Sequence, residues 1–334
     1  MSSFKLQTEP GANAIMSISR FIRCQLALLV LLFSGCGSSN HQSADRSANT
    51  VPWVTYSVDT LTQDTTLFKE ARKVGVIHDS NLWEISGVAA SRNHPGFLWA
   101  EEDSGNSDQI QLISPGGNAV ARFSVENAKN RDWEDIAVGP GPLPGKSYIY
   151  VADIGDNRGW YSEKVIYRFP EPALVGKGQP SDEPITNAEA IRLHLPDGPQ
   201  NAEAILLDPL TKDLFIISKG SYSTVYRAAY PQSLTESTQM TALLRIPFDH
   251  VTSAAISTDG REILIRTYEQ VFYYIRRAGE TIASVLSRPP RRLPLAYEVQ
   301  GEAISWTADG SGYYTSTEKT FTTTQFIYFY QRRK

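Results

Sequence analysis

A short motif recurs five times in this chain and constrains its fold more than any other feature. Each copy has one acidic or hydroxyl residue followed by a run of mostly small and apolar residues, and the copies begin at Ser86, Glu134, Glu203, Ser253 and Glu302. The intervals between successive starts are 48, 69, 50 and 49 residues. Repeats of this length are typical of β-propellers, in which each repeat forms one small sheet, called a blade.

The residues between these starts follow a common outline. Each unit has a first apolar strand, a polar turn, a second aromatic-rich strand and a polar tip. The interval after Glu134 is longer because that unit carries an insertion rich in proline and glycine. The composition of this insertion predicts a surface loop, and its turn residues are Pro170, Pro172, Gly176, Gly178, Pro180 and Pro184.

The sequence predicts an all-β fold, a β-propeller with five blades. No segment shows helical periodicity beyond a turn or two. The fifth unit ends with a strand at 325–330 and lacks a fourth strand. We therefore expect an N-terminal strand at 73–78 to complete the last blade and to remove two exposed sheet edges. A further strand is expected at 55–58. Six blades remain an alternative if the N-terminal region and the insertion conceal a degenerate unit.

The first fifty residues differ in composition from the rest. Arg20 and Arg23 precede an apolar run at 25–33, which is too short for a permanent membrane span and indicates an export signal over residues 1–35. Because these features follow Met16 directly, we expect translation to start there. Residues 36–52 are rich in Ser, Asn and Gln, which predicts a flexible tether, and residues 53–334 are expected to form a single propeller domain.

Residues 33–36, Phe-Ser-Gly-Cys, resemble the lipobox of bacterial lipoproteins. The resemblance implies that Cys36 is lipidated and anchors the protein to a membrane. Gly37 in place of Asp resembles lipoproteins sent to the outer membrane, which implies its periplasmic face if the source has two membranes. The alternative is an ordinary signal peptide in which the cysteine is incidental.

Charge and cysteine content exclude several classes of function. The formal net charge is −4, and no run of Lys or Arg suggests a groove for a phosphate backbone, so we expect no nucleic-acid partner. Cys24 would leave with the signal and Cys36 would carry the lipid. The mature domain therefore has no disulfide and no metal site built from cysteine.

Acidic residues recur where first strands begin and second strands end. In a propeller these two positions open on the same face of the central channel, so we expect the acids to gather around one mouth. The leading glutamates are Glu134, Glu203 and Glu302, and the other candidates for the mouth are Asp103, Asp153, Asp156, Asn157, Glu269 and Glu318.

Carboxylates packed together either take up protons or need a cation to offset them. Hard oxygen ligands suit Ca²⁺ or Mg²⁺ better than zinc. Lys219 and Arg266 could instead neutralise the acids or bind an anionic substrate, and the acids could serve only as backbone hydrogen-bond acceptors in each blade. His250, just before the fourth unit, is a candidate general base.

The segments Glu134-Asp135-Ile136, Glu203-Ala204-Ile205 and Glu302-Ala303-Ile304, each followed by an acidic strand tip, resemble bacterial propellers of the phytase-like, esterase-like and gluconolactonase-like kind. This resemblance implies calcium at one end of the channel and, in several of these families, hydrolysis of phosphate esters or lactones. Residue by residue, it implies that Glu134, Asp153, Glu203 and Glu302 are calcium ligands. The families usually have Glu-Gly where this chain has Glu-Ala or Glu-Asp, and they commonly have six blades.

Two functions follow as hypotheses. The first is an exported, lipid-anchored propeller whose acidic mouth binds Ca²⁺ and a small ligand, and hydrolyses a phosphate ester or a lactone. The second is a non-catalytic interaction scaffold of the cell envelope in which the repeated acids are structural.

Overall fold

The computed structural model describes residues 50–78, 82–174, 182–319 and 324–334. The predicted signal, the start at Met16 and the lipidation site Cys36 lie outside these residues. Within the described ranges, no helix is long and apolar enough to cross a membrane.

Over the described ranges, twenty-two strands, numbered in chain order, form five sheets around a central channel, which confirms the predicted five-bladed β-propeller. Strand β1 (Arg72–Val76) comes first but belongs to the last blade. Blade 1 then follows, from the channel outward, as β2 (Ile85–Ala90), β3 (Leu98–Glu102), β4 (Gln109–Ile113) and β5 (Ala119–Val125).

Blade 2 contains the insertion. Its inner strands are β6 (Trp133–Pro140), β7 (Ser147–Asp153) and β8 (Glu163–Pro170), and its fourth strand is β10 (Glu189–His194). Between β8 and β10 the chain forms β9 (Asp182–Ile185), which pairs in parallel with β5 at the edge of blade 1. The prediction of a surface loop is therefore wrong for residues 182–185. Pro184 is tolerated there because β9 is an edge strand.

The remaining blades are regular. Blade 3 has β11 (Ala202–Leu207), β12 (Leu214–Ser218) and β13 (Ser223–Ala228); after β14 (Thr238–Gln239), which pairs with β10 of blade 2, it ends with β15 (Thr241–Ile246). Blade 4 has β16 (Val251–Ile256), β17 (Glu262–Thr267) and β18 (Val271–Ile275), followed by the helix α1 (Ile282–Leu286) and by β19 (Arg291–Leu293). Blade 5 has β20 (Gly301–Trp306), β21 (Gly312–Thr317) and β22 (Phe326–Gln331).

An N-terminal strand closes the ring, as the sequence predicted. Strand β1 pairs antiparallel with β22 and becomes the outer strand of blade 5. The residues before β1 run along the outer edges of three blades and form single bridges at Trp53, Gln63 and Phe68. These contacts cover edges that would otherwise be unpaired. The prediction of a strand at 55–58 is wrong, because the segment before β1 pairs with each blade edge through a single residue.

Apolar side chains fill all five interfaces between neighbouring blades, one cluster to each interface. Trp99 and Trp133 lie between blades 1 and 2, for example, and Phe215 lies between blades 3 and 4. These interfaces hold the inner strands at fixed positions around the channel, and therefore position the side chains at its mouth.

Every inner strand begins with a β-bulge. The register between the first two strands shifts by one residue at Ser86, Glu134, Glu203, Thr252 and Glu302. Such bulges redirect a side chain at the rim of a sheet. The five positions are equivalent, so the fourth unit starts at Thr252. Its predicted start at Ser253 is wrong by one residue, because the bulge makes Ser253 equivalent to Asp135.

Candidate functional site: the acidic mouth of the channel

The five bulge positions open on one end of the channel, which we call the acidic mouth. A cavity of 170 Å³ lies there. Its lining residues are Glu84, Ser86, Asp103, Glu134, Asn157, Glu203, Lys219, Tyr268, Gln300, Glu302 and Glu318. Of the residues predicted to surround the mouth, Glu134, Glu203, Glu302, Asp103, Asn157, Lys219 and Glu318 line this cavity.

Three carboxylates form the tightest group at the mouth. Asp103 follows β3, while Asp132 and Glu134 lie at the start of β6, and one oxygen from each lies within 4.8 Å of the others. Glu134 is almost fully buried, and its nearest polar partner is the Ser86 hydroxyl, which donates to Oε2 at 3.4 Å. Among the described residues, none of the three forms an ion pair. We call this group the three-carboxylate cluster.

Gly155 allows the cluster to form. A Cβ atom at this position would lie 2.5 Å from Cγ of Asp132 and closer still to Oε1 of Glu134. Glycine is therefore required where the tip after β7 passes over the two carboxylates. The glycine of the matching tip in blade 1 has another role, because Gly105 adopts a φ of +85° in a tight turn with open space around it.

Burial and mutual repulsion disfavour the charged form of the cluster. Burial, followed by the charges of Glu203, Asp103 and Asp132, raises the pKa of Glu134 well above its usual range. Burial raises the pKa of Asp103 to about 7. Burial also raises the pKa of Asp132, although hydrogen bonds with Ser104 and Asp103, and then the charges of Lys164 and Arg131, act in the opposite direction. A cation bound among the three would remove this penalty.

Glu203 differs from Glu134 because it has a cationic partner. Lys219, from the tip after β12, forms an ion pair with Glu203. The ammonium group of Lys219 also donates to the Tyr268 hydroxyl at 2.6 Å. Asn201 donates a further hydrogen bond to Glu203 at 3.1 Å. One of the four predicted calcium ligands is therefore neutralised by the chain itself.

Glu302 and Glu318 occupy the blade 5 side of the mouth. Burial and the charge of Glu203 raise the pKa of Glu302 to about 8. Its carboxyl group makes no ion pair within the described part of the chain. Glu318 is half-buried and accepts a long hydrogen bond from Gln300 at 3.5 Å. Its raised pKa favours the protonated form of Glu302, which makes this residue a candidate proton donor.

Asp153 and Asp156 support the blade 2 side of the mouth from outside the cavity. Asp153 accepts the backbone N–H of Asp132 at 2.8 Å and lies 3.5 Å from the guanidinium of Arg131. Asp156 pairs with the buried Lys164 and accepts two backbone N–H groups of the loop after β7. Asp156 lines a neighbouring groove of 370 Å³, together with Trp160.

Three further predicted residues also do not line the mouth cavity. Arg266 is fully buried and donates to Glu298 at 2.9 Å and to the carbonyls of Gly301 and Ala303. Glu269 is exposed on the turn between β17 and β18. The side chain of His250 is 56% exposed and lies 3.5 Å from Asp249. His250 has a φ of +52° and anchors its loop through its backbone N–H to Gly220.

The sequence contained a signal for the one cluster member that was not predicted. Asp132 and Glu134 are two residues apart at the start of a strand, and side chains at this spacing point to the same side. Asp132 was overlooked because it precedes the repeated motif instead of belonging to it.

Asp135 closes the channel below the mouth. It is fully buried, and its two carboxylate oxygens accept hydrogen bonds from Ile136 N, Ile205 N, Ala254 N and Ser253 Oγ. The Ser253 hydroxyl in turn accepts the N–H of Ile304. Burial raises the pKa of Asp135 to about 8 against the effect of these donors. This network connects blades 2, 3, 4 and 5.

Comparisons with known proteins assign no family to this chain. No protein-family model matches the chain, and no curated protein matches it. Among solved structures, the chain is similar to the WD40 repeats of RRP9, with 9% sequence identity and a TM-score of 0.39 over 75% of this chain and 80% of that one.

Proposed function

We propose that the acidic mouth binds one divalent cation through Asp103, Asp132 and Glu134, and that this cation anchors a small anionic ligand in the mouth cavity. The observation that carries the proposal is the three-carboxylate cluster, with ligand atoms within 4.8 Å of one another and no cationic partner among the described residues. Buried carboxylates that form no ion pair are costly, and a bound cation offsets that cost.

The ligand chemistry is that of a hard cation, and we propose calcium. Carboxylate oxygens are the ligands that Ca²⁺ prefers, and three oxygens within 4.8 Å of one another can share one ion. Calcium takes six to eight oxygen ligands, so three side chains leave coordination positions for water and for a ligand. Glu134 belongs to both the predicted ligand set and the cluster. Asp153, Glu203 and Glu302 lie around it and could complete an outer shell.

Direct titration tests the cation site. Calorimetry with Ca²⁺ should detect one ion per chain, and Asp132→Asn should weaken binding at least tenfold. Glu318→Gln is the matched control, because it removes the same charge from the same mouth outside the cluster and should leave binding nearly unchanged. Absence of a binding heat in the parent protein would refute the proposal.

Hydrolysis of a bound phosphate ester or lactone is the reaction that such a site would support. A bound cation would polarise the phosphoryl or carbonyl oxygen. A mouth carboxylate would take a proton from an attacking water, which would bond to the phosphorus or carbonyl carbon, and Glu302, whose pKa burial raises to about 8, would donate a proton to the leaving group as its bond breaks. Glu302→Gln should abolish hydrolysis of a chromogenic phosphate ester or lactone while calcium binding persists. If the parent hydrolyses neither substrate, the site binds without catalysis.

A non-catalytic scaffold is the second candidate, and exposed aromatic residues around the mouth favour it. Trp83, Trp160 and Tyr297 lie on loops at this end of the channel and are 46%, 65% and 91% exposed. Exposed aromatic side chains are enriched in protein interfaces. Under this alternative, the acids Glu203 and Asp153 serve their ion pairs with Lys219 and Arg131.

The cellular setting is proposed from the sequence alone. We propose an exported lipoprotein anchored through Cys36, at the periplasmic face of the outer membrane if the source has two membranes. Cys36→Ser should move the protein from the membrane fraction to the soluble envelope fraction. An unchanged distribution would refute the anchor.

A further inference from the structure

The channel has a second cavity at the end opposite the acidic mouth, which we call the apolar funnel. All five inner strands line it, and its volume is 50 Å³. Most of the lining residues are aliphatic, with Val88, Ile136, Ile205, Leu207, Ile256 and Ile304 among them, while polar atoms make up the larger part of the surface that they leave open. Space for roughly four water molecules suits a ligand of only a few heavy atoms.

Among the described residues that line the funnel, Arg92 alone is charged. It lies on the loop between β2 and β3, and its guanidinium extends toward blade 2, since a Cβ atom on Gly139 would lie 3.7 Å from Nη2. Within the described part of the chain, this guanidinium has no hydrogen bond and no ion pair. Burial lowers the pKa of Arg92, and the charge of Glu171 offsets part of this effect.

Glu171 is the nearest acid, and its carboxylate is already occupied. It accepts hydrogen bonds from the Ser91 hydroxyl, the Trp99 indole and the backbone N–H groups of Arg92 and Asn93. The Arg92 guanidinium, which is partly exposed, therefore has no acceptor among the described residues for its five N–H donors.

The other polar groups of the funnel wall leave a surplus of donors. The hydroxyl groups of Ser305, Thr307 and Thr258 donate to backbone carbonyls. The indole N–H of Trp306 is buried without a hydrogen-bond partner among the described residues. An apolar wall with an unpaired guanidinium calls for a ligand with one anionic group and a short apolar body.

We propose that the apolar funnel binds a short-chain monocarboxylate, with its carboxylate on Arg92 and its alkyl chain against the inner strands. Arginine suits this role because its planar fork matches the two oxygens of a carboxylate. Burial of the alkyl chain would add the hydrophobic contribution. This site is separate from the cation site, because the Asp135 network lies between the two cavities.

Calorimetric titration with propionate tests the proposal. Propionate should bind one per chain with a dissociation constant of about 1 mM or tighter. Propionamide, which has the same shape without the charge, should bind at least tenfold more weakly. Chloride and phosphate should compete poorly, because neither has an alkyl chain. Equal binding of propionate and propionamide, or effective competition by chloride, would overturn the proposal.

Two variants locate the site. Arg92→Met keeps the length of the side chain and should weaken propionate binding at least tenfold. The matched control is Arg261→Met, because the Arg261 side chain is 77% exposed at the same end of the propeller, and it should leave binding unchanged. Arg92→Met should also unfold at the same temperature as the parent or higher, since no ion pair is lost. Unchanged propionate binding by Arg92→Met, or a clearly lower unfolding temperature, would overturn the proposal.

Discussion

The two ends of the channel are built from the same five strands and yet have opposite chemistry. Along β6, Glu134 lines the acidic mouth and Ile136 lines the apolar funnel, and Glu203 with Ile205 and Glu302 with Ile304 repeat this arrangement. The β-bulge at each leading residue turns that side chain toward the mouth, while the regular strand beyond it presents aliphatic side chains. A single register shift therefore separates a polar cavity from an apolar one.

The ends also differ in how their charges are balanced. Among the described residues, none of the three clustered carboxylates at the mouth forms an ion pair, while Glu203 pairs with Lys219. At the funnel, the Arg92 guanidinium forms no ion pair with a described residue, because the carboxylate of Glu171 is taken up by the loop that carries Arg92. Each end thus has charge of one sign in excess, and we assign the opposite charge to a ligand.

Asp135 separates the two ends, and its removal should have the largest effect. Asp135→Ala would leave four donors from blades 2, 3 and 4 unpaired in the interior. We expect the free energy of unfolding to fall by about 3–5 kcal/mol, as measured by urea denaturation. Ser253→Ala, the control, removes one partner and should cost about 1 kcal/mol. Equal effects of the two changes would mean that Asp135 does not connect the blades.

The acidic mouth should make the calcium-free protein less stable as pH rises. Asp153, Asp103 and Glu302 have pKa values raised by burial to about 6, 7 and 8. Between about pH 4 and its folded pKa, each of these groups is protonated in the folded chain and ionised in the unfolded chain. Stability is lost across that window, by about 1.4 kcal/mol per pH unit for each such proton.

Unfolding of the calcium-free protein in urea at several pH values between 5 and 8 measures this loss. Acids with lowered pKa values, such as Asp64 and Asp309, affect stability only below about pH 4 and do not interfere. Saturating calcium should reduce the slope of the profile without removing it, because Asp135, whose pKa burial raises to about 8, lies outside the cation site. Calcium-free stability that is constant or rises over this range would contradict the account of the mouth.

A smaller loss of stability is expected from Gly139→Ala, a change beside the apolar funnel. A Cβ atom on Gly139 would overlap the end of the Leu207 side chain and approach Arg92. Because the Leu207 side chain can shift, Gly139→Ala should cost only about 1 kcal/mol of stability. It should nevertheless narrow the funnel and weaken propionate binding while calcium binding stays unchanged. Loss of both propionate binding and calcium binding would show that the two ends are not independent.

The repeat made most of the fold predictable. The spacing of the motif gave five blades, and the missing fourth strand of the last unit indicated closure by β1. Strand β9 was not predictable, because its pairing with β5 depends on where the insertion runs in space. The strand expected at 55–58 failed for a related reason: the segment crosses three blade edges and pairs at single residues such as Trp53.

The candidate site was predictable only in part. Propeller geometry correctly indicated that Glu134, Glu203, Glu302 and Asp103 would surround one cavity. Sequence could not reveal which acids would be neutralised, because Arg266 pairs with Glu298 across 32 residues and Lys219 pairs with Glu203 between two strand ends. The funnel was missed because an unpaired arginine has no local signature in a sequence.

The most direct test is the thermal unfolding of three proteins, each with calcium and with a chelator. At a hundredfold excess over its dissociation constant, calcium should stabilise the parent by about 2.7 kcal/mol. Glu134→Gln should lose this gain because it removes a member of the cluster. Glu203→Gln should keep most of the stabilisation by calcium. Its free energy of unfolding without calcium should be about 2 kcal/mol lower than that of the parent, since the partner of Lys219 is lost. A parent indifferent to calcium, or a Glu134→Gln variant that responds as the parent does, would contradict the assignment of the acidic mouth as a cation site.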